Sequence, residues 1–213
     1  MATTTTNYGF DIPQSTDLVK DGATAIATLG QDIDTAMNTA LGTKKAGMVL
    51  LNTTSFSGVA TQSVNNVFTS TYRNYRVLIE ISAGSADAAL SLRLRASGSD
   101  QSGASYDTAL YGAQGNGTAF AFGATGGTQV FIGDVDTNNS YFAYAFSIDI
   151  FRPNENDRTV FNIISGFIRQ AGAFAGISGS AIYNSAYVAD GFTILNSAGT
   201  NMTGKITIYG YNV

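Results

Sequence analysis

Residues 141–151 have the sequence YFAYAFSIDIF, in which large apolar side chains alternate with small or polar ones. A period of two places alternate residues on opposite sides of an extended chain and is typical of a half-buried β-strand. The large side chains that share one side are Phe142, Tyr144, Phe146, Ile148 and Ile150. This stretch therefore predicts a β-strand with one side on a hydrophobic core.

The same alternation recurs along the chain from residue 47 onward, between turns rich in Gly, Asn, Asp and Ser. Many short strands separated by such turns are typical of an antiparallel sandwich or barrel. The predicted strands are 48–52, 66–70, 75–82, 90–94, 119–122, 129–133, 141–151, 159–169, 180–188, 192–196 and 204–211. We therefore predict a mainly β protein in which residues 46–213 form an antiparallel, jelly-roll-like β-sandwich.

Residues 1–45 have a different pattern and are predicted to form an N-terminal arm and one amphipathic α-helix. Consecutive threonines and the Ile12-Pro13 pair disfavour a helix in residues 1–14. Ser15, Thr16 and Asp17 are good N-cap residues, so the sequence predicts a helix over residues 22–41. The predicted helix ends before Gly42, Lys44 and Lys45, which are favourable residues at a helix C-terminus.

An apolar stripe follows one side of this helix at i, i+3 and i+4 spacing. We predict that the stripe and the arm form an oligomer or anchor interface, whose residues are Tyr8, Phe10, Val19, Ile26, Leu29, Ile33 and Met37. The alternative is that the helix lies on its own β-domain. The β-branched residues at one heptad position are compatible with dimers or trimers, so the pattern alone leaves the number of chains open.

Composition narrows the classes of function. The chain has 213 residues, 44% of them hydrophobic and only 12% charged, with a net charge of −4. Nucleic-acid binding needs clustered Lys and Arg, so this balance argues against a nucleic-acid partner. The sequence contains no apolar run of the ~20 residues that a membrane span needs, and its start does not resemble a signal peptide. We expect no membrane insertion and synthesis in a cytoplasm.

Catalytic chemistry is also disfavoured. The chain contains no His and no Cys, which removes Ser-His and Cys-His nucleophiles and the ordinary zinc sites. Asp134, Asp136 and Asn138 copy the first half of a calcium loop, but Asn139 and Ala145 replace the Gly and Glu that such a loop needs. A hairpin turn is the favoured interpretation. We predict no catalytic residues, no metal site and no cofactor.

Residues 98–127 form the longest stretch predicted to be irregular apart from the short predicted strand at 119–122, and they are rich in glycine. Long loops in compact domains are often functional. Tyr106, Tyr111 and Asn116 could contact sugar rings or polar protein surfaces, and we predict them as possible receptor-binding residues. In the alternative interpretation, the tyrosines cap the core of the sandwich.

The N-terminal sequence NYGFDIPQSTDLVKDGA (residues 7–23), continued by IATLGQDID (residues 26–34), resembles the N-terminal segment of virion structural proteins of tailed bacteriophages, including cyanophages. The resemblance to their tail-fibre-like proteins covers about the first forty residues. It implies homotrimers, attachment to other virion proteins through the N-terminal arm, and an exposed β-tip. It implies no catalytic residues.

These observations lead to three interpretations. The first is a short trimeric tail or baseplate fibre, or receptor-binding tip, whose partner is a host cell-surface glycan or protein. The second is a capsid decoration protein, of the head-fibre or cement type. The third is a free-standing carbohydrate-binding module. In the first two, the protein is located in the virion and is made in the host cytoplasm.

Overall fold

The computed structural model of the chain describes residues 3–6, 8–12, 18–39, 47–136, 144–169 and 173–212. Contacts within the chain define two compact units, Met1–Gly47 and Met48–Tyr211. The first unit contains β1 (Thr3–Thr4), β2 (Asp11–Ile12) and α1 (Val19–Met37). The strands of the second unit are β3 (Met48–Val59), β4 (Thr61–Val64), β5 (Asn74–Gly84), β6 (Ala88–Ala96), β7 (Ser99–Asp100), β8 (Tyr106–Gln114), β9 (Ala119–Gly127), β10 (Val130–Val135), β11 (Tyr144–Phe151), β12 (Asp157–Arg169), β13 (Ala173–Tyr187), β14 (Gly191–Asn196) and β15 (Met202–Tyr211).

The second unit is an antiparallel, jelly-roll-like β-sandwich, as the sequence predicts. Its larger sheet has eight strands in the order β3-β15-β5-β11-β12-β13-β8-β9. The smaller sheet has the order β10-β6-β14-β4, with β7 paired to β6. Neighbouring strands in both sheets are antiparallel.

The core lies between the two sheets and is built from the alternating residues. Phe146 and Ile148 of β11 are buried on the inner side of the larger sheet, beside Val77 and Ile79 of β5. From the smaller sheet, Leu90, Leu92 and Leu94 of β6 are buried. Each fully buried side chain of this size stabilises the fold by roughly 1.5–3 kcal/mol. The period-two pattern is thus confirmed as the source of the core, within the described part of 141–151.

The prediction of a strand at residues 66–70 was wrong. Asn66 has a φ of 56°, in the left-handed region, which interrupts an extended chain. The N–H groups of Val67 and Phe68 donate to the carbonyl of Asp190, at 2.8 and 3.0 Å. This segment is therefore a connection in which Val67 and Phe68 are buried and their N–H groups bond to another loop.

The prediction that residues 98–127 are largely irregular was also wrong, because β7, β8 and β9 lie within them, although the strand predicted at 119–122 is confirmed as the first part of β9. β8 and β9 form a hairpin that closes at Gln114, whose N–H donates to Thr118 O at 2.9 Å. A glycine is required in the middle of β8, since a Cβ at Gly112 would collide with the carbonyl oxygen of Gly176 on β13. Glycine here marks a close approach of strands and not a loop.

The first unit contains the predicted helix, although its described bounds are Val19–Met37 and not 22–41. It begins early because the carbonyl of Leu18 already accepts from the N–H groups of Asp21 and Gly22. The predicted caps Ser15, Thr16, Asp17 and Gly42, with Lys44 and Lys45, lie outside the described residues. In the arm, β1 and β2 are extended and pair with each other.

No helix among the described residues has both the length and the hydropathy to cross a membrane.

Candidate functional site

The apolar stripe of α1 is exposed in the described chain. Val19 is 94% exposed and Ile26 is 65% exposed, and Ile33 and Met37 are also exposed. Leu29 is only partly exposed and lies on the neighbouring side of the helix. Large apolar side chains that are open to water along one side of a helix form a surface suited to a partner.

The two aromatic residues predicted on the arm lie together. The rings of Tyr8 and Phe10 stack with centroids 5.6 Å apart. Phe10 is held by its N–H, which donates to Thr5 Oγ1 at 2.9 Å, while Tyr8 is exposed. The arm thus presents an aromatic ring that its own unit leaves open to water.

Tyr106 is not a receptor-binding residue, because its side chain is completely buried. Its hydroxyl accepts from Leu94 N–H at 3.0 Å and donates to Gln101 O at 2.9 Å. Its ring packs on Tyr183 with centroids 4.8 Å apart, and burial raises the pKa of its hydroxyl. The alternative interpretation, that Tyr106 belongs to the core, is the correct one.

Tyr111 and Asn116 are both exposed, but the structure does not bring them together. Tyr111 is 65% exposed and projects from the outer side of β8. Asn116 lies in the β8–β9 turn, where its Oδ1 accepts from Thr118 N–H at 3.0 Å. This bond is typical of an Asn that stabilises its own turn.

Tyr111 lies within an uncharged surface on the outer side of the larger sheet. One row across four strands pairs Ile164 with Ser178, Ser178 with Tyr111, and Tyr111 with Ala121. A second row pairs residues 162 with 180, 180 with 109, and 109 with 123. We call these two rows the neutral face, which consists of Ala109, Tyr111, Ala121, Gly123, Asn162, Ile164, Ser178 and Ser180.

The neutral face consists mostly of small residues, and two large side chains project from it. Ile164 is 68% exposed, and with Tyr111 it stands above small neighbours. Two open depressions of about 400 Å³ each lie along these strands and share Ala109, and the second extends beyond the neutral face to Asp107. Ser180 Oγ donates to Asn162 Oδ1 at 2.9 Å. An aromatic ring beside hydroxyl and amide groups suits a flat, uncharged, polar ligand.

The other half of the same outer surface carries two sets of paired charges. Arg76 Nε and Nη2 donate to the two oxygens of Asp149, each at 2.7 Å, and Tyr211 Oη donates to Asp149 Oδ1 at 2.6 Å. Lys205 Nζ lies 3.5 Å from Glu80 Oε2. We call Arg76, Asp149, Tyr211, Glu80 and Lys205 the charged face.

Two opposing effects act on Asp149. Burial alone would raise its pKa, but the hydrogen bonds from Arg76 and Tyr211 outweigh burial, so the pKa of Asp149 is lowered. Burial and the bond to Asp149 raise the pKa of Tyr211 to about 12. The charged face thus satisfies its own polar groups.

A small cleft lies at the sandwich edge formed by β9 and β10. It has a volume of about 230 Å³, and Phe120, Phe122 and Phe131 contribute to its lining. Arg169 Nε is 3.4 Å from Asp134 Oδ2, and its guanidinium lies 4.4 Å from the centre of the Phe120 ring. Burial raises the pKa of Asp134 although Arg169 lowers it. Asp134 therefore belongs to an ion pair at this edge.

The hairpin turn was predicted at residues 134–140, but Asp134 lies within β10, and Asn138 and Asn139 lie outside the described residues. Within the described ranges, no group of three or more acidic side chains could share a metal ion.

Ile164 and the small residues of the neutral face were not among the residues predicted from the sequence. The adjacent pair Ile163 and Ile164 carried a signal, since one of two neighbours in a strand must face outward. Ile163 is buried and Ile164 is not. The rest of the surface depends on register between strands that are distant in sequence, which no local pattern reveals.

Comparison with known proteins adds little. No family model matches the sequence, and no curated protein matches it. The chain is similar to the solved structure of the galectin LEC-6 of Caenorhabditis elegans, at 10% sequence identity and a TM-score of 0.26. The similarity covers 77% of this chain and 97% of the galectin. At this TM-score, the likeness carries no argument about function.

Proposed function

We propose that the chain is a structural protein of a tailed-phage virion, namely a short trimeric tail or baseplate fibre, or receptor-binding tip, and not an enzyme. The observation that carries the proposal is the exposed apolar stripe of α1. It coincides with the segment whose sequence resembles phage virion proteins. In this proposal, residues 1–45 join copies of the chain to each other and to other virion proteins, and residues 46–213 face outward.

Association through α1 has a clear physical advantage. Val19, Ile26 and Ile33 follow one another at seven-residue spacing, and fully burying a side chain of this size contributes roughly 1.5–3 kcal/mol. Three copies that meet along this stripe would remove the exposed side chains from water at once. A short helix that is marginal alone is stabilised by such packing.

The test is sedimentation of the full chain and of the double variant Ile26→Asp/Ile33→Asp. We expect the natural chain to sediment as a trimer or a multiple of a trimer, and the variant as a smaller species, because two buried carboxylates per chain oppose association. The matched control is Thr24→Asp/Thr35→Asp, which places the same charges at exposed polar positions of α1. A natural chain that sediments as a monomer would refute the trimer.

The neutral face is the proposed receptor contact. Tyr111 supplies a stacking surface, and Ser178, Ser180 and Asn162 supply hydroxyl and amide groups without a charge. The proposed ligand is a host cell-surface glycan or a polar protein surface. Each stacked aromatic contributes on the order of 1 kcal/mol, and three copies multiply weak contacts by avidity.

Adsorption of the purified protein to host cells tests this contact. Tyr111→Ala should reduce adsorption while Asn116→Ala leaves it unchanged, since Asn116 is at the hairpin turn and outside the neutral face. Equal adsorption of Tyr111→Ala and the natural chain would remove the neutral face from the receptor contact. Cleavage of host polysaccharide into shorter pieces by the purified protein would contradict the non-enzymatic proposal.

The second candidate is a capsid decoration protein, which the absence of a long shaft between helix and sandwich in this sequence favours. Gold-labelled antibody on intact virions separates the two. Label at the tail end supports the fibre, and label scattered over the head supports decoration. If the protein binds glycans as a monomer and the antibody labels no virion, a carbohydrate-binding module is favoured.

A further inference from the structure

Strand β9 forms one edge of the larger sheet, and among the described strands only β8 pairs with it. Its sequence, AFAFGATGG, contains no charged residue and no proline. Edge strands are normally protected by charges, prolines, bulges or short length, because their free N–H and C=O groups would otherwise pair with another strand. β9 lacks the first two kinds of protection.

The opposite edge of the larger sheet is strand β3, and it is protected by bulges. β3 has no charge either, but its pairing with β15 shifts register twice, where β3 bulges. β9 pairs with β8 without a shift from Ala119 to Ala124, and its one shift follows Ala124. The first six residues of β9 are therefore a regular, unprotected edge.

The sequence of this edge is nearly palindromic about Ala121. Residues 119–123 are Ala-Phe-Ala-Phe-Gly, so small residues and phenylalanines are arranged equally on both sides of Ala121. A two-fold interface requires a self-complementary surface, in which residue i meets j and j meets i. Antiparallel pairing of two such strands about Ala121 would place Phe120 of each copy opposite Phe122 of the other. Aromatic pairs directly across strands are favourable.

The surroundings of β9 also suit a second copy. Phe122 is 38% exposed although its ring stacks on Phe131 at 4.3 Å. Arg169 and Asp134 lie beneath the edge but are paired with each other. On the outer side, the row through Tyr111 and Ala121 is uncharged, so two copies would meet there without charge repulsion.

We propose that β9 pairs with β9 of a second copy of this chain, antiparallel about Ala121, and joins two eight-stranded sheets into one. This contact is separate from the association through α1 and does not depend on it. A chain with a two-fold contact at β9 and a three-fold contact at its helix could form a closed dihedral assembly or an extended array.

Cross-linking in the full chain tests the pairing directly. The natural chain has no cysteine, so Ala121→Cys can cross-link only through residue 121. Directly opposed residues have Cα atoms ~4.5–5.5 Å apart, within the range for a disulfide. We expect a disulfide-linked dimer under mild oxidation, formed at least about tenfold faster than with Ala145→Cys. Ala145 is the matched control, because it is exposed on the outer side of the central strand β11. Equal rates for the two variants would overturn the proposal.

A second pair of variants tests the same contact without a cross-link. Ala121→Lys would bring two like charges together at the two-fold axis, and it should raise the dimer Kd by at least about tenfold. Ala145→Lys should leave the Kd unchanged, since residue 145 lies away from the edge. Sedimentation of Ala121→Lys that matches the natural chain would overturn the pairing.

The two contacts can be separated. In the Ile26→Asp/Ile33→Asp background, we expect the residue-121 cross-link to persist while the helix association is lost. Loss of the cross-link in that background would overturn the independence of β9. If the cross-link never forms while helix association stays intact, the β9 pairing is overturned and the proposed function still stands.

Discussion

The two halves of the outer surface of the larger sheet differ in whether their exposed side chains bond to one another. On the charged face, Arg76, Asp149 and Tyr211 bond to one another, so the polar groups satisfy themselves. On the neutral face, Ile164 and Tyr111 project above small residues and stay open to water. One half is thus complete within the chain, whereas the other has properties expected of a surface that another molecule contacts.

The largest change in stability should follow removal of the central cation of the charged face. Arg76→Met leaves the partly buried Asp149 carboxylate without its bidentate partner. Because solvent screens part of this loss, we expect the free energy of unfolding in urea to fall by about 1–2 kcal/mol. Lys205→Met is the control, since its pair with Glu80 is more exposed, and it should change stability by less than about 0.5 kcal/mol. Equal effects would contradict a larger contribution from the partly buried Arg76–Asp149 pair.

Acid should remove the same contribution from the natural chain. The pKa of Asp149 is lowered in the folded protein, so its stabilisation is fully present above the unfolded pKa of about 4 and is lost as pH falls through the lower folded pKa. The difference in unfolding free energy between the natural chain and Arg76→Met should therefore shrink from pH 6 toward pH 2. Urea titrations at several pH values measure it. A difference that stays constant would contradict the assignment.

A smaller loss is expected at the rim of the charged face. Tyr211→Phe removes one hydrogen bond to the Asp149 carboxylate and should lower the free energy of unfolding by about 0.5–1 kcal/mol. The spectroscopic titration should also lose a tyrosine that ionises near pH 12. Tyr209→Phe, on the same strand, is the control and should retain that titration.

The smallest effect on stability is expected on the neutral face. Ile164→Ser and Tyr111→Ala replace exposed side chains, so each should change the free energy of unfolding by less than about 0.5 kcal/mol. Their effect should appear in adsorption or association instead. A loss of stability above about 1 kcal/mol in the isolated chain would show that these side chains are covered by the chain itself.

The core was predictable from the sequence and the proposed contact surface was not. Strict alternation of large residues identified β5, β11 and the leucines of β6, because each of these strands has one side in the core. The small residues of β8 and of the second half of β9 gave too little hydrophobic contrast, so only residues 119–122 of this hairpin were predicted as a strand. Tyr106 and Tyr111 are five positions apart on one strand and must face opposite sides, which could be deduced only once β8 was known to be a strand.

The position of β15 sets an order for folding. β15 lies between β3 and β5 in the larger sheet, although nine strands separate β5 from β15 along the chain. Until residues 202–211 have been synthesised, β3 lacks the neighbour that joins it to the sheet, and β5 has an open edge. Pairing over such a sequence distance is slow, and the open edge can meet other chains while it waits. β3 is therefore the first strand of the sandwich to leave the ribosome, but it can pair within the larger sheet only after β15 has been synthesised.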